Sequence, residues 1–368
     1  MINSKKLLKF LERKNLKFYT GVPDSVLKNF TNLLSQKNTH ILASNEGSAV
    51  SIGIGYYLAN KKLPCIYMQN SGLANAINPL VSVAHKGVYS IPLVMLIGWR
   101  GSPGLKDEPQ HLVKGKITKN ILKLLGIRFA VIQKDRDFSK ISKLINFSKM
   151  KKVPVACLIK NNSFTSLSKK NKIKNSISKK SILRIDVLRE VLKNISTKTK
   201  IISTTGYTSR ELYQLRKEEN FKKGKDFYMV GGMGHSSSVA LGVSIYNGSQ
   251  VVCLDGDGSM LMHLGSLHTI GNINKKNFKH ILINNQSHES VGGQKISFER
   301  TNLEKITRGL GYSKYLKVEN KKDLKKSISY MMRYSGTIFL EILVKKGSIK
   351  NLGRPKNFIK IKEDFLKK

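Results

Sequence analysis

Residues 250–259 read QVVCLDGDGS, and residues 278–285 read FKHILINN. The first is a short apolar run broken by alternating acids and glycines. The second is an apolar run that ends in two asparagines. Between them, SMLMHLGSLHTIGN carries Met260, Leu264 and Leu267 at helical spacing. The order is therefore strand, helix, strand. Such a crossover is right-handed and makes its two strands parallel, so Asp257 and Asn285 leave the sheet at the same carboxyl edge. Asp-Gly pairs are also common turn formers, and GDG alone would say little. Joined to a tandem asparagine separated from Gly258 by 25 residues, it describes a site. Gly256 and Gly258 let backbone approach a ligand. A helix beginning near Ser259 offers N–H groups to an anion. A carboxylate with amide and carbonyl oxygens suits a hard cation such as Mg2+, which keeps places for diphosphate oxygens.

The same alternation runs outward in both directions. KFYTGV, HILAS, PCIYMQ, IPLVMLIG, RFAVIQ and VPVACLIK read as short buried strands in the N-terminal half. Residues 24–34 read as an amphipathic helix with Val26, Leu27, Phe30, Leu33 and Leu34 on one face, and Asp24 as its cap. In the C-terminal half a helix, ILRIDVLREVLKNI, precedes strand KIISTT, a helix from Tyr207, strand DFYMV and a helix from His235. Strands that alternate with helices make an α/β protein with mainly parallel sheets and helices on both faces. Residues 166–181 hold no acid and are rich in lysine, serine and asparagine, the composition of a solvated tether. It divides 368 residues into two α/β domains of similar size, 1–165 and 182–368, in line with ~100–200 residues per domain.

Composition narrows the class. Lysine and arginine number 66 against 23 acids, a net charge of +43. The lysines are spread along the chain, without a recognition helix, zinc finger or aromatic RNA-binding signature, so they read as solvated faces rather than specific nucleic-acid contacts. Attraction of an anionic substrate, or incidental polyanion binding, remains open. No apolar run reaches the ~18–20 residues of a membrane span, and MINSKKLLKF lacks the core of a secretory signal. Cys65, Cys157 and Cys253 sit in strand-like runs without metal-ligand spacing. A cytoplasmic enzyme fits these features.

The GDG and NN elements, together with VGGMGHSSSVALG at 230–242 and STTG at 203–206, resemble the thiamine diphosphate enzymes. The resemblance implies two thiamine diphosphate-binding-type α/β domains without an inserted middle domain: a pyrimidine-binding domain over 1–165 and a diphosphate/Mg-binding domain over 182–368. It implies Mg2+ held by Asp257, Asn285 and the backbone carbonyl of Ser287, with Asn284 supporting the loop. Met233, between Gly232 and Gly234, would wedge under the bent cofactor, although a core role is open to it. Thr205, Gly206, Gly232, Gly256, Gly258 and Ser259 would contact the cofactor. In this family a glutamate hydrogen-bonded to the aminopyrimidine shifts its tautomer, and HILASNEGSAVSIGIGYYLA at 40–59 has the matching layout. Glu46 is the expected activator. From the residues alone, Asn45 as helix cap and Glu46 as partner of the helix dipole is the more natural reading; the cofactor motif of the second domain reverses that preference. The resemblance also implies a homodimer or higher homo-oligomer in which domains of different subunits meet.

Five strings, GVPDS, YMQNSGLANAINPL, LIGWRGSPG, DEPQH and NNQSHESVGGQ, resemble the branch that decarboxylates phosphonopyruvate and sulfopyruvate. The likeness spans about Phe18 to Leu343. It departs at Ala74, where glycine is expected, and at Gln286 and Ser287, where small residues are expected. The implied reaction, in phosphonate biosynthesis, converts 3-phosphonopyruvate to phosphonoacetaldehyde and CO2 through the cofactor's ylid and an enamine. Alternatives are sulfopyruvate as substrate, or a 2-oxoacid oxidoreductase component, for which no iron–sulfur cysteine cluster is present. Asp24 and His111 match proton-handling residues of related decarboxylases, with Asp24 equally readable as a cap. Arg100 suits a phosphonate, or is a solvated loop arginine. Asn70 and Ser71 would line the pocket. His288 and Glu289 lie just past the metal loop, before Gly292 and Gly293, which could hinge a closing segment. His235, His263, His268 and His280 read as structural or exposed.

Overall fold

The computed structural model describes residues 1–35, 37–165, 182–219, 221–296, 298, 300–350 and 352–367. The tether expected over 166–181 lies outside them. The described chain divides into two compact units: residues 1–165 with Val291–Gln294, and residues 182–290 with those from Lys295 onward.

In the first unit, strands β1 (Tyr19–Gly21), β2 (His40–Leu42), β3 (Cys65–Gln69), β4 (Val94–Trp99), β5 (Arg128–Ile132) and β6 (Val155–Lys160) form one parallel sheet in the order β2-β1-β3-β4-β6-β5. In the second, β7 (Lys200–Ser203), β8 (Lys225–Tyr228), β9 (Val251–Gly256), β10 (Phe278–Asn284), β11 (Lys314–Val318) and β12 (Ile338–Leu343) form another, in the order β8-β7-β9-β10-β12-β11. The two orders are the same, so the similar layout read from sequence is a repeated topology. Every strand pair is parallel. β4 and β10 are buried along their whole length, as strands covered on both faces must be. Alternate residues feed the two layers: Cys65 and Tyr67 join one core of the first unit, while Ile66 and Met68 join the other.

This winding decides where a site can form. In each sheet the second strand lies on one side of the first and the third on the other, so the winding switches between β1 and β3 and between β7 and β9. Ligands of open parallel sheets bind outside the carboxyl ends of strands at such a switch point. Asp24, Glu46 and Asn70 follow β1, β2 and β3. Thr205, Met233, Asp257 and Asn285 follow β7, β8, β9 and β10.

Two helices differ from expectation. The one expected from Asp24 begins at Lys28. Asp24 instead turns inward, and its Oδ2 accepts the Leu27 N–H at 3.1 Å. The helix after DGDGS is two helices, Asp257–Met262 and Ser266–Ile273. The break falls where Gly234 packs on the His263 ring; a Cβ on Gly234 would lie 2.5 Å from it. Most lysines lie on solvated faces as expected, with Lys279 a buried exception. Its Nζ donates to the carbonyls of Lys276, Tyr334 and Gly336. Burial pushes its pKa down to about 8. Among the described residues no helix is long and apolar enough to cross a membrane.

Candidate active site

At the carboxyl edge of the first sheet, Asn45 caps helix Glu46–Asn60, its side chain accepting the Ser48 N–H at 2.8 Å. The cap reading is therefore right for Asn45 and leaves Glu46 free of that duty. Glu46 is 4% exposed and folds onto the segment after β3, where Asn75 Nδ2, on the short helix Leu73–Pro79, donates to its Oε2 at 2.8 Å. Gly72 makes room for it: a Cβ there would stand 2.0 Å from Glu46 Oε1. Burial pushes the Glu46 pKa up, against the Asn75 bond and the field of Lys114. A carboxyl that holds its proton above the usual range is suited to hydrogen-bond exchange with a heterocyclic nitrogen.

Asp24 is buried completely. Gln69 Nε2 donates to its Oδ1 at 2.7 Å, and β4 comes so close that a Cβ on Gly98 would lie 1.8 Å from its Oδ2. Burial raises its pKa against these bonds. Arg100 is not a free loop arginine. Its Nε and Nη2 take both oxygens of Asp107, at 2.7 and 2.5 Å, and its Nη1 takes Ser25 Oγ at 3.0 Å. Against the cost of burial, Arg100 and two backbone N–H groups hold Asp107 well below the usual carboxylate range. Asn70 braces the same corner, bonding Arg100 N, Arg100 O and Thr118 Oγ1. Ser71 Oγ donates to Gln69. His111 lies in the first turn of helix Pro109–Leu124.

In the second unit Ser259 ties three segments together. Its Oγ accepts from Thr204 Oγ1 at 2.9 Å and from Gly234 N at 3.1 Å. The STTG, GGMG and GDGS stretches, far apart in sequence, thus converge on one hydroxyl. Thr205, Gly206 and Met233 are half-buried, so Met233 is not a core residue. Gly206 and Gly232 hold φ of 90° and 66°, a backbone that other residues rarely adopt.

The loop after β10 closes on the Ser287 N–H. Asp257 Oδ2 accepts it at 3.3 Å and Asn285 Oδ1 at 3.0 Å. Two oxygens that share one donor are near enough to share a cation. Burial pushes Asp257 up to about 6, and its compensation comes from backbone N–H groups. This is a buried acid that a dication would neutralise, in an all-oxygen donor set, so the residues fit Mg2+. Asn284 supports the loop as expected: its Oδ1 accepts Gln286 N at 3.1 Å and its Nδ2 reaches Glu341. Gln286, where the resemblance leads to a small residue, sits at φ 52°, a backbone that favours glycine. His288 packs over Gly258, whose Cβ would lie 2.8 Å from the ring, and burial lowers its pKa to about 4.

Comparisons with known proteins identify the family. The family model for the thiamine pyrophosphate enzyme N-terminal TPP binding domain matches residues 3–121, and that for the C-terminal TPP binding domain matches residues 204–342. The chain belongs to the thiamine pyrophosphate enzymes. It is 31% identical to the phosphonopyruvate decarboxylase of Streptomyces viridochromogenes, over 97% of this chain and 92% of that protein. It is 25% identical to the sulfopyruvate decarboxylase of Methanosarcina acetivorans, over 93% and 91%. With the sulfopyruvate decarboxylase subunit beta of Methanocaldococcus jannaschii it shares 42% over 129 residues, 35% of this chain and 66% of that one. It is a carboxy-lyase that uses thiamine diphosphate.

Sequence reasoning missed Thr204, Gln69 and Asn75, which act through partners distant in the chain, and Asp107, which grips Arg100 across the short loop between them. It also missed Asp255, buried behind the GDG turn. Ser236 Oγ and Gly256 N donate to its Oδ1. His280 Nε2 lies 3.6 Å from its Oδ2, and His280 Nδ1 lies 2.9 Å from the Tyr312 hydroxyl. His280 was legible only as a residue without ligand spacing, yet it is fully buried.

Proposed function

We propose that the chain decarboxylates 3-phosphonopyruvate to phosphonoacetaldehyde. One carbon–carbon bond breaks, CO2 leaves, and a proton takes its place on the product carbon. The observation that carries this reading is the likeness to phosphonopyruvate decarboxylase over 97% of the chain. Likeness to sulfopyruvate decarboxylase over comparable length is weaker. Thiamine diphosphate, when bound, accepts the electron pair that the departing carboxylate leaves behind.

The chain's own residues do the rest. Asp257, Asn285 and the Ser287 carbonyl would hold Mg2+, whose charge would offset that of the diphosphate. Ser259 fixes the loops that carry Thr205, Gly206, Gly232, Met233, Gly256 and Gly258. Glu46 holds or releases a proton at a buried carboxyl, and Asp24 does so at a second, with His111 available to exchange protons at the rim. Arg100 stands ready for the phosphonate with the N–H groups that Asp107 and Ser25 leave over, and Asn70, Ser71 and His288 shape the pocket walls. The working form is a homodimer or larger homo-oligomer in which the first unit of one copy serves the second unit of another. The setting is cytoplasmic, in keeping with three buried cysteines that form no disulfide.

The test is incubation with thiamine diphosphate, Mg2+ and either keto acid, following CO2 and aldehyde. The expected result is aldehyde release without any added electron acceptor, and a higher kcat/KM for phosphonopyruvate. A strong preference for sulfopyruvate, favoured locally by the 42% identity to the beta subunit, would reassign the substrate. Turnover only with an electron acceptor would reassign the reaction.

A further inference from the structure

An amide ligand carries an ambiguity that a carboxylate does not: turned over, it presents two N–H groups where an oxygen is needed. Something must set the orientation of Asn285. Its Oδ1 accepts the Ser287 N–H, and its Nδ2 donates to Glu289 Oε2 at 2.9 Å. The two bonds have opposite polarity, so only one orientation satisfies both.

Glu289 is itself held from three directions. Arg184 Nη2 donates to the same Oε2 at 2.5 Å, and Gly347 N donates to Oε1. The Glu289 N–H donates to Ser287 O at 2.8 Å, the carbonyl assigned to the metal, and leaves that oxygen its second lone pair. Arg184 is 4% exposed. It also bonds Glu211 Oε1 at 3.3 Å and Gly347 O at 3.1 Å, and it lies over the Tyr207 ring at 5.5 Å. One buried arginine between two carboxylates is costly to assemble, and breaking such a group leaves an unpaired charge. A loop that needed only to turn would not require it.

We propose that Glu289, fixed by Arg184, is a positioning residue that presents the Asn285 amide oxygen to the divalent cation. The proposal rests on the assignment of Asp257, Asn285 and Ser287 as the cation site. Glu289 does not touch the cation. Its Oε2 must remain an acceptor facing Asn285. In Glu289→Gln the amide meets donors on both sides: Gly347 N–H on one, Arg184 and Asn285 Nδ2 on the other. Whichever way it settles, one donor faces another, and when the –NH2 faces Asn285 the ligand amide is driven to turn over. Partners that orient metal ligands in this way typically contribute about ten- to a hundredfold in metal affinity.

The experiment measures Mn2+ binding by electron paramagnetic resonance of the free ion, with the intact protein saturated in thiamine diphosphate. Wild type, Glu289→Gln, Asn285→Ala and the double variant are compared, with Glu289→Asp as a milder second change that keeps the charge but shortens the reach. The expected result is about ten- to a hundredfold weaker Mn2+ binding in Glu289→Gln, a smaller loss in Glu289→Asp, and no further loss when Glu289→Gln is added to Asn285→Ala. Thermal unfolding is recorded alongside, because a merely structural role would shift it equally in both backgrounds. Wild-type affinity in Glu289→Gln, or equal losses with and without Asn285, overturns the positioning role. If wild type itself binds no Mn2+, the cation site falls, and the proposal falls with it for that separate reason.

Discussion

Gly72→Ala isolates the Glu46 carboxyl from everything else in the site. The backbone at Gly72 is ordinary, with φ −86° and ψ −6°, so alanine brings no conformational strain. Its methyl carbon, however, would stand 2.0 Å from Glu46 Oε1, 2.2 Å from Cδ and 2.5 Å from Cγ. Ordinary contact needs roughly 3.5 Å, so the carboxyl must retreat by about 1.5 Å. The Asn75 bond to Oε2, 2.8 Å long, cannot survive that movement in place. A catalytic group displaced by about 1 Å costs about a hundredfold in rate, or about 2.7 kcal/mol of barrier. The expected outcome is a fall of that size in CO2 release, with an equal fall in exchange of the bound cofactor's C2 proton for deuterium. Thiamine diphosphate affinity should hold, because the residues assigned to the diphosphate and cation belong to the second unit. Wild-type exchange and turnover in Gly72→Ala would refute the argument that Glu46 acts from this position.

Further outcomes follow from the same geometry. Glu46→Gln should abolish turnover while cofactor still binds; near-normal turnover would remove Glu46 from the mechanism. The same variant should change stability with pH. Burial raises the folded Glu46 pKa above its unfolded value, so the folded chain keeps a proton that the unfolded chain releases. Stability from this group is present below the unfolded pKa of about 4.3 and is lost as pH rises through the raised folded value. Glutamine does not titrate, so urea titrations from pH 4 to 8 should show a shallower decline in Glu46→Gln; an unchanged slope would mean that the carboxyl is not held neutral. Ser259→Ala leaves Thr204 Oγ1 and Gly234 N without their acceptor. It should lower stability by about 1–3 kcal/mol, measured by urea unfolding, and weaken thiamine diphosphate binding; a change in neither would deny Ser259 its place as the tie between three loops.

The sequence made the second unit legible because its chemistry is local. Asp257 and Ser259 stand on one turn, Asn284 and Asn285 on the next, and the crossover rule brings the two turns to one edge without knowledge of any side-chain contact. Asn45 and Glu46 were legible as a pair, but not their division of labour, since that depends on Gly72 and Asn75 arriving from β3. Asp24 read as a cap because a cap and a buried acid look alike before the first turn of a helix. Its burial comes from Gly98 on β4, where only the absence of a side chain permits it. Arg100 offered a phosphonate site in sequence; its pairing with Asp107 is set by the path of the intervening loop, which no periodicity encodes. The helix after DGDGS read as continuous because its apolar spacing is continuous. It breaks because Gly234, from another segment, packs against His263. The Arg184–Glu289 bridge joins residues over a hundred positions apart and had no local signal at all.

Asp257 and Asn285 should capture the cofactor only through a divalent cation. Calorimetric titration of thiamine diphosphate into protein stripped of metal, with and without Mg2+, tests it when run on wild type and on Asp257→Ala. The expected result is tight binding to wild type only when Mg2+ is present, and its loss in Asp257→Ala while the protein remains folded. Equal binding without Mg2+, or in Asp257→Ala, would contradict the site.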